Sequence, residues 1–154
     1  MLLFTLSCAA KKVVPKPEPI VEVNPKLIFL NYTLTEDVNG NKTVAFISKT
    51  VADGKVRNLG DKYIKTGNVG DLKCSQLDQN AQTLRSVFIK NPLNKTIEYV
   101  NDSLQFKSKA LELKKTSFSL RLQLHPETRN IVIAEVIDSL QNVNPLYHTK
   151  IVTK

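Results

Sequence analysis

The side chains able to do chemistry are few in this sequence and widely spaced. His125 and His148 are the imidazole bases, and Cys8 and Cys74 are the thiols. A hydrolytic triad needs a nucleophile, a base and an orienting acid. His125 stands in His125-Pro126-Glu127-Thr128, which reads as a turn, and His148 follows Tyr147 in a terminal strand candidate. Both fit structural roles, and the chain carries no GxSxG, HExxH, Walker loop or GxGxxG. Two histidines, two distant cysteines and no clustered acids do not make a zinc site. Neither catalytic residues, nor a metal, nor a cofactor is expected, and the chain is not read as an enzyme.

Glu135 is the odd acid, lying within the apolar run Ile131 to Ile137. If it pointed inward opposite another carboxyl it would be a site candidate; on the solvent face it would blunt a sheet edge. Ala52 to Asp71 is richer. It holds four of the five glycines, among Arg57, Lys62, Tyr63 and Lys65. Glycine allows close backbone approach and the cations attract anions, so these four side chains are the candidate binding residues. An ordinary hairpin, Lys55 to Asn58 against Lys62 to Thr66, is the plainer alternative.

The net charge of +8 comes mostly from lysines spread along the chain, without an arginine-rich arm or an aromatic-interleaved basic stripe. Such a surface attracts anions in general and gives no ground for expecting nucleic acid.

The N-terminus carries a different message. Met1-Leu2-Leu3-Phe4-Thr5-Leu6-Ser7-Cys8-Ala9-Ala10-Lys11-Lys12 is an apolar run closing on small residues and one cysteine. Leu6-Ser7-Cys8 resembles the end of a bacterial lipoprotein signal, in the looser form of Bacteroidetes-type lipoproteins, since Thr5 stands where leucine is usual. The resemblance implies that residues 1–7 are a signal remnant and that Cys8 is acylated, anchoring the chain in a membrane. Lys11 to Pro25 contains four prolines, a composition that favours an extended polyproline-like path. Residues 8–25 are thus expected to be the lipidated cysteine and its linker. The residues after Cys8 lack both the aspartate of inner-membrane retention and the acidic pair of surface export. By the same resemblance the domain hangs from the outer membrane and faces the periplasm. Asp102-Ser103-Leu104 and Asp138-Ser139-Leu140 are similar to the O-glycosylation signal of that group, which would make Ser103 and Ser139 acceptors.

Positioning these residues falls to a body with period two. Lys26 to Thr35 and Thr43 to Lys49 flank Asn39-Gly40 as a hairpin. Ser117 to Leu124 alternates strictly, with Phe118, Leu120, Leu122 and Leu124 on one side. Asn130 to Asp138 is apolar on both faces, as a central strand is. Thr96 to Val100, Leu104 to Leu113 and Tyr147 to Val152 are further strands. Leu77, Ala81, Leu84 and Phe88 fall at helical spacing, with Ser75 and Asp78 as a capping box, so a short helix or turn is expected near residues 76–82, then a strand into Ile89. Cys74, without an activating neighbour in sequence, reads as a small buried hydrophobe.

Residues 26–154 are therefore expected to form an all-β domain, an antiparallel sandwich of about seven strands behind a Pro-rich tether. It resembles the immunoglobulin- or fibronectin-like architecture, without that family's disulfide or core tryptophan. The expected role is that of a non-catalytic outer-membrane lipoprotein serving as an accessory, interacting subunit of an envelope assembly, with protein partners. The alternative is a lipoprotein that binds a glycan or small ligand.

Overall fold

The computed structural model describes residues 24–57 and 63–151. Cys8, the linker up to residue 23 and Lys62 lie outside the described residues. Among those described, every regular element is a strand: β1 (Lys26–Glu36), β2 (Lys42–Asp53), β3 (Tyr63–Ile64), β4 (Leu72–Leu77), β5 (Thr83–Ile89), β6 (Asn94–Val100), β7 (Phe106–Glu112), β8 (Lys115–Leu124), β9 (Asn130–Val136) and β10 (Val143–Lys150). The ten strands exceed the expected seven or so. β3 and β4 had no strong period-two signal, and β6–β7 stands apart from the rest.

All pairings are antiparallel. Sheet A has the order β2-β1-β8, sheet B the order β10-β9-β4-β5-β3, and β6 pairs only with β7. Alternation drives the packing. Ile28, Leu30, Tyr32 and Leu34 of β1 and Phe118, Leu120, Leu122 and Leu124 of β8 share one face of sheet A. They meet Leu72, Cys74, Ile89, Ile131 and Ile133 of sheet B in a single core.

Of the short helix or turn expected near residues 76–82, followed by a strand into Ile89, the structure has the turn, at 78–82, and the strand, β5. β4 runs to Leu77 and β5 starts at Thr83, and the intended capping serine, Ser75, instead lies 3.0 Å from Ser86 Oγ across the pair. Leu84 and Phe88 owe their spacing to β5's outward face, a period of two sampled every fourth residue.

Four turns share one device. The first residue is Asp37, Asp78, Asn101 or Asp138, and its Oδ1 accepts from the backbone N–H groups two and four residues on, at 2.8–3.1 Å. The fourth residue takes positive φ: Gly40 at 82°, Ala81 at 62°, Leu104 at 59° and Gln141 at 66°. The side chain performs the hydrogen bonding a tight turn requires, so glycine is not obligatory. The Asn41 side chain bonded to Asp37, and Asn142 bonded to Asp138, hold these carboxyls below the ordinary aspartate value. Their contribution to stability is present above the unfolded-state pKa and is lost as pH falls through the lower folded value.

Gly67 is buried where the 65–71 loop folds over the outer face of sheet B. A Cβ there would lie 2.6 Å from Phe88 Cδ1 and 3.0 Å from Val136 Cγ2. Gly67→Ala should therefore overpack the site and cost about 1–3 kcal/mol, read as a lower midpoint in thermal unfolding; an unchanged midpoint would mean the loop lifts without penalty.

Candidate functional site

The two ends of the sandwich differ. At one end the chain comes in at Lys26, which pairs with Asp53 and Leu124, and Gly54 N–H donates to Pro25 O at 2.8 Å. The 78–82 and 125–129 turns lie at this same end, joined by Arg129 N–H donating to Leu77 O.

The opposite end gathers the remaining loops. Lys42, at the start of β2, donates from Nζ to Glu135 Oε1 at 2.6 Å and to Gly70 O at 3.1 Å. Gln141 Nε2 donates to Gly67 O at 2.6 Å, tying the β9–β10 turn to the 65–71 loop. Asp71 Oδ1 accepts from Asn91 N–H, and Lys114 pairs with Glu36 at 2.9 Å, fixing the base of β6–β7 beside the end of β1. From this base the β6–β7 hairpin runs out as an arm of seven paired residues, about 23 Å at strand rise.

This distal end and the arm rooted there display apolar side chains that remain largely in solvent. Val38 in the β1–β2 turn is 98% exposed, Leu104 85%, Phe106 83%, Leu140 82% and Val69 63%. Leu104 and Phe106 sit at the arm's tip, with Val100 paired to Phe106. Scattered exposed leucines are ordinary. Val38, Val69 and Leu140 on adjoining loops, with Leu104 and Phe106 at the tip of the arm rooted beside them, are the pattern of a contact surface.

A second feature lies on one flank. Sheet B is two strands wider than sheet A, so β5 and β3 overhang the core by about 10 Å at ordinary strand spacing. The opposite flank is closed by rings: Tyr32 lies 5.8 Å from Phe46 and 6.0 Å from Tyr147, and Phe46 stacks on Tyr147 at 6.4 Å. On the overhanging flank, Tyr63 bridges the sheets. Its Oη accepts from Arg121 N–H at 2.9 Å and donates to Arg121 O at 3.1 Å. A cleft of about 720 Å³ remains beside it, lined by Cys74, Val87 and Leu122 with Arg57 and Arg85. Gln76 and Gln123 frame it, but their amides are used internally. Gln76 donates to Gln123 O and accepts from His125 N–H and Thr128 Oγ1. Gln123 donates to Lys26 O and accepts from Val56 N–H.

The sequence candidates distribute unevenly. Arg57 lines the cleft, Tyr63 is consumed in bridging the sheets, and Lys65 is exposed at the start of the distal loop. The structure thus does not gather the described members of this set around one point. Glu135 faces inward with Ile131 and Ile133, yet meets Lys42 rather than an acid. His125 lies in the proximal turn and His148 on the outer face of β10. Cys74 is buried in the core, and desolvation pushes its thiol up to about 12. No group of three His, Cys, Asp or Glu occurs that could hold a metal among the described residues. Ser103 and Ser139 both lie on distal turns, but not equivalently: Ser139 is the second residue of its turn and Ser103 the third. Arg85 was missed by the sequence reading. Its signal is an arginine among the alternate residues Arg85, Val87 and Ile89 that face the core.

No family model, curated protein or solved structure matches this chain.

Proposed function

We propose that the protein is a lipid-anchored, non-catalytic subunit of a cell-envelope assembly that docks a protein partner on its distal, apolar loop end. The observation that carries this reading is the placement of Val38, Val69 and Leu140 at the end opposite Lys26, and of Leu104 and Phe106 on the arm rooted at that end. With acylated Cys8 holding the domain to the outer membrane from the periplasmic side, that end would point away from the lipid. Leu104 adds weight through its side chain, an apolar group left 85% exposed at the tip of the arm.

An immunoglobulin-like relationship belongs to this proposal. The order β10-β9-β4-β5 matches the sheet in which the last two strands of such domains lie beside the third. Sheet A departs from that family, because β1 rather than β2 is its centre. O-glycans on Ser103 and Ser139 would sit beside the docking surface and limit its partners.

The anchor is tested by Cys8→Ala, which should move the protein from the membrane to the soluble fraction of the envelope. Membrane retention of that variant would remove the lipoprotein half of the proposal. A second reading, a ligand-binding lipoprotein, is favoured by one observation, the flank cleft.

A further inference from the structure

We infer that the flank cleft binds a small carboxylate carrying an apolar chain, the class to which medium-chain fatty acids belong. This rests on the ligand-binding reading just given and is independent of the docking one. The cleft lies on the flank where, among the described residues, sheet B extends beyond sheet A, and its floor is the half-buried Val87 over the buried core residues Cys74 and Leu122. The carbonyl oxygens of Gln76 and Gln123 and both amide hydrogens of Gln123 are bonded within the protein, which leaves the floor poor in free polar groups. An apolar body is what such a floor accepts.

The solvent side is different. Arg57 and Arg85 are both exposed and line the same cleft. Neither has an ion-pair or hydrogen-bond partner among the described residues. Arg85 is paired in register with Gln76 and so lies on β5's core-facing side, along the stretch of β5 outside its pairing with β3. A guanidinium presents a planar fork of donors suited to a carboxylate, and two of them over an apolar floor fix which end of the ligand lies outward. An inward-pointing charge at a sheet edge can also serve to discourage strand addition. That role would require nothing of Arg57 and would leave the cleft indifferent to ligand charge.

The test is titration of the intact chain with dodecanoate, with dodecanol and inorganic phosphate as controls, followed by calorimetry and by the methyl resonances of Val87 and Leu122. Dodecanoate should bind and shift both methyls. Dodecanol should bind at least tenfold more weakly, and phosphate should leave the methyls unmoved. Arg57→Gln and Arg85→Gln should each weaken dodecanoate about tenfold with little change for dodecanol. Equal binding of acid and alcohol, insensitive to both substitutions, would overturn the carboxylate assignment while leaving the cleft a ligand site. No binding of either amphiphile at millimolar concentration would overturn the cleft as a ligand site as well. Val87→Arg, which fills the cleft from its wall, should abolish binding; retained binding in that variant would place the ligand elsewhere and overturn the inference.

Discussion

Tyr32→Ala is expected to cost about 3–5 kcal/mol, the range for emptying an aromatic site in a packed core, and so to leave the domain near its unfolding midpoint at ordinary temperature. Tyr32 has no exposed surface, and its ring touches three others: Phe46, Phe118 at 5.5 Å, and Tyr147. These come from β2, β8 and β10, so one side chain joins all three strands of sheet A to the edge of sheet B. Its hydroxyl lies 2.7 Å from Thr149 Oγ1, a buried contact across the sheets. Burial pushes the Tyr32 phenol up to about 12, so it stays neutral throughout the working range. Tyr32→Phe keeps the rings and leaves the buried Thr149 hydroxyl without this partner; about 1–2 kcal/mol is expected for that loss. Denaturant unfolding of the two variants separates ring from hydroxyl. A cost for alanine no greater than for phenylalanine would mean the closed flank is held by something else.

Lys42→Ala should cost about 3 kcal/mol, the lower end for removing one partner of a buried ion pair. The lower end applies because the Glu135 side chain retains 20% exposure, against 7% for Lys42. The loss has two parts: Glu135 loses its ion-pair partner, and Gly70 O loses its donor at the base of the distal loops. The double variant Lys42→Met, Glu135→Leu should recover much of the stability, since apolar replacement of a buried pair is often neutral or better. If Lys42→Ala unfolds at the wild-type denaturant concentration, the pair is solvated in solution and does not fasten the distal end.

How much of this was legible in the sequence depends on the physical signal each element carries. β1, β8 and β9 alternate or run apolar because they form the core, and burial writes that pattern directly; β2, with only Val44 in the core, was legible through the Asn39-Gly40 turn that joins it to β1. β4 and β5 were harder. Their outward residues include Leu84 and Phe88, so both faces look apolar and spacing alone cannot separate strand from helix. Gly40 betrayed its turn, and the 78–82 turn was anticipated only as a helix or turn. The other three of that design depend on an Asp or Asn oxygen and place Ala81, Leu104 and Gln141 at positive φ, where residue type gives no warning. Glu135 could be recognised as unusual, but Lys42, its partner 93 residues away, could not. The cleft lies on the flank where the described sheets differ in width, a property of topology that no local stretch encodes. The clustering of exposed apolar tips at one end likewise needed the register, because their sequence positions run from Val38 to Leu140.

The most direct test of the docking proposal is site-specific photo-cross-linking in the native envelope. A photoactivatable residue would be placed singly at Leu104, Leu140, Asn80 or Glu127. The account predicts one discrete adduct shared by Leu104 and Leu140 at the distal end, and none from Asn80 or Glu127 at the end where the chain comes in. Adducts from the proximal positions alone, or none from any position in a correctly anchored protein, would contradict it.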